Sequence, residues 1–110
     1  MRIESRTLHG FQVLAVKDDL TLHSDCTPLR DKVSSLVKGG HSRIALSLTP
    51  DSFLCSRTIA AIIQCVEYAR EAGGTFVLLN PSQEIANAFQ LVGIKQLMKV
   101  CSGEDELAGL

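Results

Sequence analysis

TPDSFLCSRTIAAIIQCVEYAREAGG, Thr49 to Gly74, holds a strand end, a sharp turn and an amphipathic helix in one stretch. Ile59, Ile62, Ile63 and Val66 recur at helical spacing, and Glu67, Arg70 and Glu71 keep one face wet. Ala69 and Ala72 carry the pattern to Gly73-Gly74. That pair suits a C-terminal cap, because glycine takes a left-handed backbone without a Cβ clash. At the other end Ser56 is a good N-cap residue: its hydroxyl accepts a backbone N–H left unpaired in the first turn, a contribution of about 1 kcal/mol. The spacing predicts a helix over roughly residues 57–72.

The flanks read as strands. In Arg43 to Thr49, RIALSLT, Ile44, Leu46 and Leu48 alternate with Ala45 and Ser47, the period of a strand, which Pro50 ends. Asp51-Ser52 reads as a turn. Thr75 to Leu79, TFVLL, is a nearly continuous apolar run before Asn80-Pro81, as expected of a strand covered on both faces. Strand, helix and strand with short connections make a parallel crossover unit of right-handed sense.

The remaining segments extend this α/β layout. Phe11 to Val16 reads as a strand, and Ile3 to Leu8 pairs with it antiparallel through a His9-Gly10 turn. A polar loop covers Asp18 to Leu22. Ser24 or Asp25 then caps a helix whose apolar face is Leu29, Val33, Leu36 and Val37, with Pro28 in its first turn and Gly39-Gly40 after it. Ser82 caps a third helix with Ile85, Ala86, Phe89 and Leu91 or Val92 on one face, ended by Gly93. A short strand is expected near Leu97 to Cys101, and the acidic Glu104 to Glu106 then opens a terminal helix, where negative charge suits the dipole. The reading is a single domain over residues 1–110, with a mixed sheet of four to five strands, an antiparallel N-terminal pair and three to four helices.

Composition narrows the function. At 110 residues the chain is long enough to bury a core without metal or disulfides. A net charge of -1 with scattered Lys and Arg argues against nucleic acid as a partner. The four cysteines form no CxxC pair, and Cys55, Cys65 and Cys101 lie in or beside apolar runs, so buried reduced thiols are expected. Nothing after Met1 has the pattern of a signal peptide, and no apolar run reaches the roughly 18 residues that span a bilayer. A cytoplasmic location without membrane insertion is therefore expected. His9, His23 and His41 stand far apart in turns, as solvated residues and not as metal ligands, and no cofactor is expected. No phosphate-binding glycine loop or nucleophile turn appears, which argues against an enzyme. Cys55, beside a helix N-terminus where thiols can acidify, is the one chemical oddity, and it is expected to be partly buried and unreactive.

The order of elements, together with LSLTPDSFLCSRTIAAI and AREAGGTFVLLNPSQEIANAFQLVGI, resembles the STAS domain of bacterial anti-sigma factor antagonists over essentially the whole chain. Ala72-Gly73-Gly74, Asn80-Pro81 and Val92-Gly93-Ile94 carry the resemblance in the second half. In that family the regulatory serine lies in an Asp-Ser-[Ser/Thr]-Gly-Leu turn at the start of the second helix. The resemblance places Ser56 at the phosphorylated serine, with Cys55 at the aspartate, Arg57 at the Ser/Thr, Thr58 at the glycine and Ile59 at the leucine. Shifting the motif to Asp51-Ser52 would misalign the helix and its apolar stripe.

The resemblance implies an anti-sigma factor antagonist. Unphosphorylated, it binds a serine-kinase anti-sigma factor through Cys55, Ser56, Arg57, Thr58 and the loop at Asp19, and so releases a sigma factor. Phosphorylation at Ser56 ends binding, and a phosphatase restores it. The bulk of Thr58 would then bear on which partner fits. The alternative is a constitutive docking subunit, without a phosphoswitch, on a lipid-transport ABC system or a stressosome-type scaffold. The altered CSRTI turn favours the second reading and the retained serine the first.

Overall fold

The computed structural model describes residues 1–91 and 98–110. In chain order its elements are β1 (Ile3–Leu8), β2 (Phe11–Val16), α1 (Thr27–Lys38), β3 (Arg43–Ser47), α2 (Ser56–Glu71), β4 (Thr75–Leu79), α3 (Gln83–Leu91), β5 (Lys99–Cys101) and a 3₁₀ helix (Glu104–Gly109). The five strands form one sheet in sequential order. β1 and β2 are antiparallel through a tight turn in which His9 and Gly10 both take positive φ, the backbone that matches the twist of a hairpin. β2–β3, β3–β4 and β4–β5 are parallel.

Each strand sends alternate side chains to opposite faces, and two cores result. Leu14 and Val16 of β2, Ile44 and Leu46 of β3, and Phe76 and Leu78 of β4 pack with Leu29 and Val33 of α1, Ile62, Cys65, Val66 and Ala69 of α2, and Ile85 and Phe89 of α3. The intervening residues, Phe11, Val13, Ala45, Val77 and Leu79, face the other way and meet Cys101 and Leu107. The three α-helices thus cover one face, and the 3₁₀ helix covers part of the other. β3 is buried on both faces, not alternately as RIALSLT suggests, because it lies between two parallel neighbours.

Element ends show where local signals compete. β3 stops at Ser47, although Leu48 beyond it is still buried. Cys26, not Ser24 or Asp25, holds the N-cap position of α1, and Asp25 acts one residue earlier by accepting the Thr27 N–H at 3.0 Å. Ser82 caps α3 as expected: its hydroxyl accepts the Ile85 N–H at 3.2 Å. Leu91 is 88% exposed and so does not belong to the apolar face of α3. Val92, Gly93 and Ile94, with the expected strand start at Leu97, lie outside the described residues.

Candidate functional site

Because β2 and β3 are parallel, their carboxyl ends release two loops on one rim of the sheet, Lys17 to Cys26 and Leu48 to Cys55. In open α/β sheets this rim is the usual place for a site. Ser52, 8% exposed, fastens the loops together. Its Oγ accepts the Leu20 N–H at 2.9 Å and lies 2.7 Å from Thr49 Oγ1, which donates to Asp19 Oδ1 at 2.6 Å. The Phe53 N–H donates to the Leu20 carbonyl at 2.7 Å, and the Ser52 N–H closes the expected turn on the Thr49 carbonyl at 3.1 Å. Asp51-Ser52 is therefore a turn that also works as a buried clamp.

The turn leads into α2 one residue earlier than the capping rule suggests. Cys55 holds the N-cap position, with extended backbone (φ -84°, ψ 171°), and its carbonyl accepts the Ile59 N–H at 3.0 Å. Ser56 is consequently the first helical residue and not the N-cap. Its side chain is exposed in the ring of free N–H groups where a helix attracts negative charge. Arg57, also exposed, reaches back and donates from Nη2 to the Leu22 carbonyl at 2.9 Å, tying α2 to the first loop. Thr58 turns inward and is 1% exposed, so it shapes the rim from beneath instead of presenting bulk to a partner.

Thr58 joins two thiols. Its Oγ1 lies 3.5 Å from Cys55 Sγ and accepts a bond from Cys26 Sγ at 3.8 Å. The Thr58 hydroxyl, followed by the backbone N–H groups of Thr58 and Arg57 and the Arg57 charge, draws the Cys55 thiol down to about 7. Cys55 is partly buried, as expected, and its thiol is more acidic than an ordinary one. The contrast lies along the same helix, where burial pushes the Cys65 thiol up to about 12. Cys26, which no apolar run marked, is buried. Beside the pair, His23, Asp25, Arg30, Arg57 and Gln64 line a groove of about 390 Å³ between the first turns of α1 and α2. The Thr27 N–H holds the Asp25 carboxyl below its usual range, and Arg30 donates to Gln64 Oε1 at 2.9 Å.

Cys55, Ser56, Arg57 and Thr58 thus form one turn, two of them exposed and one buried. Asp19 bonds to Thr49 and not to that turn, but the Ser52 clamp puts it on the same rim. Sequence reasoning missed Leu22 and Phe53, exposed by 57% and 56%. Hydrogen bonds from Arg57 to the Leu22 carbonyl and from the Phe53 N–H to Leu20 fix the backbone that carries these apolar side chains on the same rim. The only sign of them in the sequence is a leucine and a phenylalanine stranded in polar loops.

The STAS domain family model matches residues 2–107. No match exists among curated proteins. A proposed anti-sigma factor antagonist of Thermotoga maritima superposes with a TM-score of 0.82 at 16% identity, over 94% of this chain and 89% of that one. An anti-sigma factor antagonist (STAS) domain protein of Planctomyces limnophilus gives 0.82 at 14% identity, over 97% and 96%. The anti-sigma factor antagonist SpoIIAA, from Bacillus, gives 0.75 at 20% identity over 99% and 98% in its unphosphorylated form, and 0.67 at 18% over 96% of each chain in its phosphorylated form. At these identities the superpositions speak for the fold, and the family match covers nearly every residue. The chain belongs to the STAS domain family.

Proposed function

We propose that the rim carrying Asp19, Leu22, Phe53, Ser56 and Arg57 docks a serine-kinase anti-sigma factor, and that phosphorylation of Ser56 ends the docking. The observation that carries this reading is an exposed serine at the first position of α2, on a rim whose two loops also expose Leu22 and Phe53. Leu22 and Phe53 supply apolar contact area, while Asp19 and Arg57 lie at a polar border, the arrangement of a protein interface. A phosphoserine adds roughly -1.5 to -2 charges and three acceptor oxygens. The N-terminus of α2 accommodates that charge within the fold, but a partner seated over it must desolvate a dianion. Binding is lost while folding is kept. A phosphatase resets the switch, and on this reading the protein is a cytoplasmic binding regulator with no reaction of its own. SpoIIAA, which shares the fold, exists in phosphorylated and unphosphorylated forms, which supports the reading.

Thr58 favours the second reading, a constitutive docking subunit of a transporter or scaffold. A buried side chain fills the place where the family's motif has a glycine, so the turn is built differently here. Phosphosite mapping of the protein purified from its own host separates the two. A single phosphate on Ser56, absent from a Ser56→Ala variant, is the expected result. A protein unphosphorylated under all growth conditions, or phosphorylated elsewhere, contradicts the switch.

A further inference from the structure

The geometry points to a second switch in the same turn: Cys55 and Cys26 form a peroxide-sensitive thiol pair that closes to a disulfide between the first turns of α1 and α2. This inference is independent of whether Ser56 is phosphorylated. Both cysteines occupy N-cap positions, on neighbouring helices, and their sulfurs flank one oxygen atom, Thr58 Oγ1. Their roles differ. Cys55 is partly exposed and acidic, the properties of an attacking thiolate, whereas Cys26 is buried behind it, the position of a resolving thiol. Cys65 and Cys101 are buried, and burial raises both thiols, so neither competes for oxidant.

The Cys26 S–H donates to Thr58 Oγ1 at 3.8 Å, and the same oxygen lies 3.5 Å from Cys55 Sγ, where a Thr58 O–H turned toward the sulfur stabilises the thiolate. The Cys55 thiolate attacks hydrogen peroxide: an S–O bond forms, the O–O bond breaks, and hydroxide leaves and takes up a proton from solvent, giving the sulfenic acid. The Cys26 sulfur then attacks the Cys55 sulfur. The S–S bond forms, the S–O bond breaks, and the departing hydroxide takes the Cys26 proton to leave as water. Two thiols lose two electrons and one peroxide becomes two waters. Thr58 must leave the gap for the sulfurs to close to about 2.05 Å. A helical threonine has a second accessible rotamer, in which its hydroxyl bonds a carbonyl three or four residues back, and this clears the path. Peroxide reaches Cys55 from solvent, to which it is partly exposed, while the groove is lined by Cys26 and Thr58.

The test is peroxide treatment of the reduced full-length protein, followed by intact mass and a non-reducing tryptic map. The expected result is loss of two hydrogens and a single crosslink between the peptides Asp18–Arg30 and Ile44–Arg57, with Cys65 and Cys101 still free. In Cys26→Ser the reaction stops at a sulfenic acid on Cys55, captured by dimedone; in Cys55→Ser the crosslink and the capture both vanish. A stable Cys55 sulfenic acid in the wild type, a crosslink between two copies of Cys55, or oxidation first at Cys65 or Cys101 overturns the inference. The wild-type map decides the question even if Cys26→Ser fails to fold.

Discussion

The Cys55 thiol, one residue before the exposed Ser56, is drawn down to about 7. The Thr58 hydroxyl is the main cause, so the effect is local and separable. The folded thiol lies below an ordinary one, hence the thiolate should persist down to lower pH than in the unfolded chain. Its stabilising contribution is complete above the usual thiol range and is lost as pH falls through about 7. Alkylation of Cys55 by iodoacetamide should therefore rise with a midpoint near 7, and Thr58→Val should move that midpoint upward. Equal midpoints in the two proteins would remove Thr58 from the account. At this scale the sequence was only partly legible. Ser56 is exposed, but capping preference put it one residue early, because the rule sees a hydroxyl and not the extended backbone of Cys55. Cys26 carried no local signal and Ser52 only that of a turn: their importance comes from partners 32 residues away, Thr58 for one and Leu20 for the other.

Elements were more legible, because their signals lie within a few residues. The AGG step after α2 is an example. Gly73 takes φ +77° while its N–H bonds the Arg70 carbonyl and that of Gly74 bonds Ala69, so the helix ends as the two glycines suggest. Gly74 has a further reason to be glycine that a one-dimensional reading cannot show: a Cβ there would collide with the Ser42 carbonyl at the start of β3. Gly74→Ala should accordingly cost roughly 2–3 kcal/mol, read as a lower urea midpoint, because backbone must move to admit the methyl. A loss within a few tenths of a kcal/mol would show that the β3–β4 approach is looser than described. The loops at the rim were the least legible element, since their form comes from the Ser52 clamp and the Arg57–Leu22 bond and not from turn residues alone.

Across the whole molecule, the strand parities assign each apolar residue to one of two cores, and the parallel order follows from the crossover units. What the sequence concealed is the asymmetry of cover. Three helices close one face, while on the other Leu107, fully buried, is the contribution of the 3₁₀ helix to the core. Leu107→Ala should cost about 2–4 kcal/mol and lower the urea midpoint with little change in slope. A neutral result would mean that this face is held by the strands alone. The asymmetry also places the proposed docking rim. The helices on the first face bring the N-terminus of α2 against the loop after β2, so one rim carries an exposed serine, an acidic thiol and the exposed Leu22 and Phe53. The account's central claim is that this rim docks a partner under control of Ser56. The most direct measurement is a pull-down from host lysate with wild type, Ser56→Ala and Ser56→Asp as baits, the retained proteins identified by mass spectrometry. The account predicts a serine-kinase anti-sigma factor held by wild type and Ser56→Ala and lost with Ser56→Asp. Equal retention of the same transporter or scaffold subunits by all three baits would contradict it.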